Sequence, residues 1–220
     1  MSESESPELS LDTPTELGVF PLRNSVVYPY MPQQLTASRP ESIAVIEAAE
    51  KDDNLIGIFA QQDPDVENPG PDELYDVGAI AKIHKVWRLP DGSVRLIVQG
   101  VSRAAMGKVV QTEPQLRMVL EPLEDQGDAE SMTVQAMCRS VHQQFQSMVK
   151  MLPPLPDELQ LMVVNIDHPG RLSDFIASNL ELQLEEHQRL LEALEIEERL
   201  EYLTELLARE LEIPVLALSQ

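Results

Sequence analysis

The sequence has few of the side chains on which covalent cross-linking and catalysis depend. It contains one cysteine, four histidines and 4% aromatic residues in 220 positions. A single cysteine cannot form a disulfide within the chain. Cys138 lies near Met137 and Val141 on an apolar stripe, which predicts a small core residue rather than a nucleophile.

Positive charge is also scarce. Sixteen lysine and arginine residues stand against 38 acidic residues, which gives a formal net charge of −22. Because this charge repels phosphate backbones, we expect this region to bind no nucleic acid unless a local patch reverses the field. No segment reaches the apolar run of roughly 18 residues that a membrane span requires. The acidic opening MSESESPELS is unlike a secretory signal. We therefore expect a soluble, cytoplasmic protein without membrane contact.

Catalytic motifs are missing as well. The segment from Gly100 to Val109 is a poor phosphate-binding loop, because six residues separate its glycines instead of four and valine replaces the required hydroxyl residue. The histidines show none of the spacings that place two metal ligands on one helical face; they are His84, His142, His168 and His187. No serine stands in a nucleophile elbow. The sequence therefore predicts no catalytic residue, no metal site and no cofactor in this chain.

The residue pattern changes along the chain and divides it into segments. Strand-like runs dominate the first half, an acidic stretch follows, and helical periodicity dominates the second half. This pattern predicts an α+β protein in which a β-rich lobe is followed by an α-helical bundle lobe. The expected segments are a disordered acidic arm (1–16), the β-rich lobe (17–122), an acidic linker (123–130), the helical bundle (131–213) and a tail or the start of a further helix (214–220).

The β-rich lobe is indicated by short runs of β-branched and aromatic residues. These runs are LGVFPL, NLIGIFA, VGAIAKIHKVW, SVRLIVQ and QLRMVLE. In the fourth run Val94, Leu96 and Val98 alternate with polar residues, so they should face the core. The turn LPDG (89–92) predicts a hairpin, because proline fixes φ and glycine accepts a positive φ. Pro40 should start one helix, through ESIAVIEAAEKD.

The helical lobe is indicated by apolar residues that recur every three or four positions. One stripe comprises Val134, Met137, Val141, Phe145 and Met148, and another comprises Ile196, Leu200, Leu203, Leu207 and Leu211. Each stripe predicts one face of an amphipathic helix. Breaks are expected at MLPPLP (151–156) and at DHPG (167–170), and Pro214 should stop or kink the last helix.

Three groups of apolar residues are candidates for an exposed surface that holds client peptides. The alternative for the first two groups is core packing, and the alternative for the third is a rigid connector between helices. The candidate substrate-binding residues are Tyr28, Tyr30 and Met31 in the first group, Trp87 and Leu89 in the second, and Met151 and Leu152 in the third.

Blocks of sequence in both halves resemble the amino-terminal domain of ATP-dependent Lon proteases, and the resemblance covers nearly the whole chain after residue 17. The blocks are FPLRNSVVYP (20–29), VGAIAKI (77–83) leading through LPDG to VQGVSR (98–103), DHPGRLSD (167–174) and RLEYL (199–203). They follow the order and spacing of the family. The chain departs from the family pattern at Tyr28, which is commonly phenylalanine, and at the polar pair Gln33 and Gln34.

The resemblance implies a β-rich lobe of PUA-like type joined to a helical lobe. It also implies a substrate-recognition module for protein quality control, which recruits unfolded, damaged or degron-bearing proteins for ATP-dependent proteolysis and supports homohexamer assembly. In that family ATP hydrolysis with magnesium and the Ser-Lys peptidase belong to other domains, acting here in cis or in trans. Their motifs have no counterpart in these 220 residues, so we expect this chain not to be an enzyme. The family's last helix normally continues, so the native chain is expected to extend past Gln220.

Other functions stay open at this point. The chain could be a stand-alone adaptor without an attached protease, or an oligomerisation element in which the stripe from Ile196 to Leu211 pairs with neighbouring copies. A hydrolase with dispersed catalytic residues is the remaining alternative, although no motif points to it.

Overall fold

The computed structural model describes residues 13–151 and 158–217. The chain separates into two compact units, with the boundary between Leu123 and Glu124. Within the described residues the first unit holds six strands and one α-helix, and the second holds five α-helices. The predicted α+β class, with strands first and helices second, is confirmed.

The first unit is built around one mixed sheet. Its elements are β1 (Thr15–Leu22), β2 (Pro32–Ala37), α1 (Pro40–Ala49), β3 (Leu55–Ala60), β4 (Val77–Arg88), β5 (Val94–Gln111) and β6 (Arg117–Leu123). The strand order is β2-β5-β4-β3-β1-β6, and β6 also pairs with the second half of β5. Five strands therefore close into a barrel. Among the described residues, β2 is paired on one side only, along the first half of β5.

The core of this barrel follows from alternation along the strands. Val94, Leu96 and Val98 are buried, as predicted, and belong to one apolar cluster with Val45 and Ile46 of α1. Their outward neighbours on β5 are therefore left on the opposite face of the sheet. This alternation decides which side chains of β5 are available to a ligand.

The predicted hairpin at 89–92 is confirmed. The Gly92 amide donates to the Leu89 carbonyl over 3.0 Å, and the Leu89 amide donates to the Ser93 carbonyl over 2.9 Å. Gly92 has a φ of 85°, which only glycine adopts without strain. The turn fixes the register of β4 against β5, so it fixes which side chains of these strands lie side by side.

The second unit consists of helices. They are α2 (Met132–Met151), α3 (Glu158–Val164), α4 (Pro169–Ser178), α5 (Leu184–Glu192) and α6 (Ile196–Ala217). Both predicted stripes face the core, although Met137 and Leu211 are only partly buried. Cys138 is buried, as predicted. The expected break at 151–156 lies, after Met151, outside the described residues. None of the described helices is long and apolar enough to cross a membrane.

The end of α6 differs from the sequence prediction, and the start of α4 explains a predicted break. The prediction that Pro214 could stop the last helix is wrong, because α6 continues to Ala217. The break at 167–170 is a helix start: His168 is the N-cap of α4, and its Nδ1 accepts from the Gly170 amide over 3.1 Å. Pro169 occupies the first helical position, where its missing amide costs no hydrogen bond.

Candidate functional site

The outer surface of strands β2, β5 and β4 combines basic and apolar side chains, although the chain as a whole is acidic. Because Val94, Leu96 and Val98 face the core, the residues between them face outward. The outward side chains are Lys82, Lys85 and Trp87 on β4, Arg95, Ile97 and Gln99 on β5, and Gln34 and Thr36 on β2. We call this surface the basic face.

Strand register brings these side chains into rows across the sheet. Two rows are Trp87–Arg95–Thr36 and Lys85–Ile97–Gln34. Directly opposed residues on antiparallel strands have Cβ atoms about 5 Å apart, so neighbours in a row are in contact distance. Trp87, which is 43% exposed, is therefore directly opposite Arg95 on the same face of the sheet. The rows form a continuous surface of apolar and cationic groups.

The charge of this surface is opposite to that of the chain. Residues 32–37, 82–88 and 94–99 contain four bases and no acid, whereas the whole chain has a formal charge of −22. One of the four, Arg88, is committed elsewhere, because it forms an ion pair with Glu50 at the end of α1 over 2.7 Å. Three bases are left for the basic face.

These three bases are Lys82, Lys85 and Arg95, and none of them forms an ion pair among the described residues. The nearest acid in the hairpin turn is Asp91, whose carboxylate accepts from the Ser93 amide over 2.9 Å and from its hydroxyl over 2.7 Å. These hydrogen bonds, with a smaller contribution from Arg95, lower the pKa of Asp91. Asp91 is therefore held in the turn, and the basic face keeps a positive local field.

Tyr30 sits at one end of the basic face and is held there by a close backbone crossing. A Cβ on Gly100 would lie 2.0 Å from the carbonyl oxygen of Tyr28, so only glycine lets the 28–30 segment cross β5. The Tyr30 amide donates to the Gly100 carbonyl over 2.8 Å, and Tyr30 has a left-handed φ of 64°. The side chain of Gln99 donates to the Tyr30 carbonyl and also contacts Nε2 of His84. Tyr30 is thereby fixed beside the sheet.

The seven candidate residues from the sequence fall into different environments. Tyr30, Trp87 and Met151 are exposed, and Met31 and Leu89 are partly buried. Tyr28 is only 3% exposed, so it belongs to the core alternative, and its backbone rather than its side chain shapes the site. Leu152 lies outside the described residues. The basic face brings Tyr30 and Trp87 onto one surface, while Met151 is in the other unit.

Sequence reasoning missed most of the basic face. Lys82, Lys85, Arg95 and Ile97 were not candidates, because the predicted hairpin gave neither the register of β4 against β5 nor the pairing of β2 with β5. The usable signal was the absence of acids from three short segments of a strongly acidic chain. Such a local reversal of charge indicates a surface that attracts an anionic partner.

The acidic residues elsewhere in the chain form no metal site within the described residues. No group of three or more histidine, cysteine, aspartate or glutamate residues among them could hold a metal ion. A groove of about 520 Å³ between α5 and α6 is lined by four glutamates and by Arg189, which stacks on Tyr202 at 3.8 Å. Carboxylates on a helical surface are solvated without a ligand, so this groove is not assigned a function.

The family of the chain follows from comparison with known sequences. A family profile described as the substrate-binding domain of ATP-dependent protease La (LON) matches residues 16–209. The chain belongs to this family. The match covers nearly all of both units, so the resemblance stated from the sequence blocks is confirmed.

Individual Lon proteases give the same result. The Lon protease of Heliobacterium modesticaldum is 41% identical over 199 residues, which cover 90% of this chain and 24% of that protein. The Lon protease of Dictyoglomus thermophilum is 39% identical over 202 residues, which cover 92% of this chain and 25% of that protein. The chain thus spans about a quarter of the length of these relatives. It matches the substrate-binding domain only, and the protease domain is absent from it.

Solved structures of Lon amino-terminal domains share the fold. The N-terminal domain of Mycobacterium avium complex Lon protease superposes with a TM-score of 0.74 at 20% identity, covering 88% of this chain and 98% of that one. The Lon N-terminal domain protein from Xanthomonas campestris gives 0.60 at 17% identity, covering 86% and 96%. These likenesses confirm the predicted α+β fold of a Lon amino-terminal domain.

Two of the Lon-like sequence blocks meet in the helical unit around Arg199. Arg199 is 1% exposed, and its Nε donates to the Ala193 carbonyl over 2.7 Å. One terminal nitrogen pairs with Asp125, and the other lies 3.7 Å from Asp174 and 3.5 Å from the Ser173 hydroxyl. The blocks DHPGRLSD and RLEYL therefore supply partners of one buried cluster. We call these five residues the Arg199 cluster; its contacts join the start of α6 to α4 and to the segment before α2.

Proposed function

We propose that this chain is a substrate-recognition module for ATP-dependent proteolysis and that its basic face captures unfolded, damaged or degron-bearing polypeptides. The observation that supports this proposal most directly is the exposed Trp87 beside Arg95 on a surface built by strands. Tryptophan and arginine are enriched among the residues that dominate binding energy at protein interfaces. Because strand pairing already fixes their backbones, binding orders little of this chain.

The composition of the face suits an unfolded client. Trp87, Ile97 and Tyr30 offer apolar contact to side chains that a folded protein would bury. The three bases of the face attract anionic segments of a client, while the acidic residues that dominate the rest of the chain repel them. A partner is thereby steered to the basic face before close contact forms.

The remaining parts of the proposal concern the longer protein. ATP and magnesium are proposed to act in ATPase and peptidase domains joined in cis or recruited in trans, and this chain is proposed to need no cofactor. Weak capture by each copy suits a homohexamer in the cytoplasm, because linked copies raise the effective concentration of binding faces. Light scattering of the full-length protein tests the assembly.

The structure removes the sequence argument for the oligomerisation alternative. It required the apolar stripe of α6 to be free for neighbouring copies. Ile196, Leu200, Leu203 and Leu207 are buried within the helical unit. Pairing through this stripe would therefore require the unit to open.

The test of the proposal uses the single tryptophan as a probe. An unfolded, tryptophan-free polypeptide should shift the emission of Trp87 to shorter wavelength on titration, because the client covers the ring. In fluorescence anisotropy with a labelled client, Trp87→Ala should weaken binding by about 5- to 30-fold, which corresponds to about 1–2 kcal/mol. Val110→Ala is the matched control, since Val110 is an equally exposed apolar residue outside the basic face. Equal affinities of the two variants would refute the assignment of the face.

A further inference from the structure

We infer that the basic face binds its client by adding a strand to the free edge of β2, and that it selects extended segments with acidic side chains. The inference rests on the proposed function and names the binding mode and the chemistry of the segment. It combines two independent features of this surface, the unpaired backbone edge and the uncompensated bases.

The free edge follows from the hydrogen-bond pattern between β2 and β5. Pro32 is opposite Gln99, and the Gly100 amide donates to the Met31 carbonyl over 3.1 Å. In an antiparallel ladder this bond makes the Pro32 and Gln99 pair a non-hydrogen-bonded one, and the pattern then alternates residue by residue. The amides and carbonyls of Gln34 and Thr36 consequently point away from β5.

These outward backbone groups are available for pairing. Among the described residues, no hydrogen bond satisfies the amide or carbonyl of Gln34 or Thr36. Gln34 and Thr36 are both exposed residues. An exposed row of amides and carbonyls is a template for an additional strand.

The edge also sets the length of segment that fits. Pro32 has no amide to donate, so pairing stops at its carbonyl. The strand ends at Ala37, and the chain then turns into α1. β2 is six residues long, so an added strand would pair over about five residues, or roughly 17 Å. A short extended stretch of an unfolded protein meets this requirement, and a folded domain does not.

The positive charge of the basic face favours extended segments that carry acidic side chains. An added strand would lie about 10 Å from β5, which is twice the spacing of neighbouring strands. The short side chain of Thr36 stands between Arg95 and the added strand, so the long side chain of Arg95 can reach over it to a carboxylate. Lys85 and Lys82 are further away and act through their field, which extends about 10 Å at 0.1 M salt. An acidic segment is therefore bound more tightly than a neutral or basic one.

The first experiment modifies the peptide and leaves the protein intact. The probe is a labelled seven-residue peptide that alternates glutamate and valine, measured by anisotropy against the 220-residue chain. Two further peptides carry N-methyl groups on alternate residues, one on the odd positions and one on the even positions. In a paired strand only one alternate set of peptide amides faces β2. The peptide whose N-methyl groups lie on that set should bind about 3- to 10-fold more weakly than the parent for each hydrogen bond lost. The other should bind like the parent.

The second experiment changes the protein. Arg95→Gln should weaken the glutamate peptide about three- to fivefold at 50 mM NaCl, and 500 mM NaCl should remove most of this difference. It should leave the affinity for a peptide with glutamine in place of glutamate unchanged. Lys108→Gln is the matched control, because it removes one exposed charge from the same strand outside the basic face. It should leave both affinities unchanged.

The outcomes separate this inference from the proposed function. If both N-methylated peptides bind like the parent while Trp87→Ala still weakens client binding, strand addition is refuted and the proposed function stands. If Trp87→Ala leaves the affinity for the unfolded client unchanged, the proposed function itself is refuted. Single-stranded DNA that binds as tightly as the peptide and displaces it would also overturn the inference, because it would identify the basic face as a phosphate-binding surface without backbone pairing.

Discussion

Replacing Arg199 by methionine should remove a large part of the stability of the helical unit. Methionine fills a similar volume but has no hydrogen-bond donors. The substitution deletes the bonds to the Ala193 carbonyl and to Asp125, together with the contacts to Asp174 and Ser173. These partners come from separate parts of the sequence, so the loss affects how the whole unit is held together.

The magnitude follows from the burial of the partners. Asp174 is 2% exposed and would keep its carboxylate in the core without this cation, whereas the side chain of Asp125 is 24% exposed and can regain water. Removing one partner of a buried ion pair costs about 3–5 kcal/mol. Since a domain is stabilised by only about 5–15 kcal/mol in total, a loss of this size is a large fraction of the stability of the unit.

The assay is urea unfolding followed by circular dichroism at 222 nm, because helices α2 to α6 all lie in this unit. Fluorescence of Trp87 in the same samples reports the first unit. Arg209→Met is the matched control: Arg209 pairs with Glu186 and Glu210 at an exposed position, where an ion pair contributes less than about 1 kcal/mol. If Arg199→Met costs no more than Arg209→Met, the Arg199 cluster does not stabilise the unit as argued. The double variant Arg199→Met with Asp174→Asn should recover more than about 1 kcal/mol, because it neutralises a buried carboxylate that has lost this cation.

Three further predictions address neighbouring features of the helical unit. Gly170→Ala would place a methyl group 2.0 Å from the Asp125 carboxylate, so calorimetry should show a loss of about 1–3 kcal/mol, and an unchanged Tm would contradict it. Burial raises the pKa of Cys138, so a thiol reagent at pH 8 should label it much more slowly in the folded protein than in urea. Burial lowers the pKa of His187 below its usual 6.5, with Glu186 opposing. The unfolded chain therefore binds more protons below pH 6.5, and stability should fall with decreasing pH there by at most about 1.4 kcal/mol per unit. His187→Gln should reduce this slope.

Much of the fold could be predicted from the sequence, because the relevant signals are local. Short runs of β-branched and aromatic residues identified five strands, and the LPDG turn identified the hairpin with its left-handed glycine. The missed strand is β2, whose sequence PQQLTA has only Leu35 and Ala37 facing the core. Its stability comes from β5, about sixty residues further along the chain, and no local pattern records that pairing.

The candidate site was harder to predict, because it depends on register. Trp87 and Tyr30 were identified as apolar residues that could be exposed, and the structure leaves both accessible. Tyr28, only two residues from Tyr30, is buried, because the chain crosses over Gly100 between them. A sequence pattern cannot separate two tyrosines whose difference is made by a crossing with a distant strand.

The location of the family's sequence signature bears on where recognition takes place. The blocks DHPGRLSD and RLEYL carried the resemblance in the helical half, and Ser173, Asp174 and Arg199 from these blocks belong to the Arg199 cluster. A side chain that is buried and satisfied within its own unit cannot contact a client unless that unit unfolds. The basic face instead offers three bases that form no ion pair among the described residues, together with the outward backbone groups of β2. Relatives that bind different clients should therefore keep the Arg199 cluster and differ in the charges at positions 82, 85 and 95.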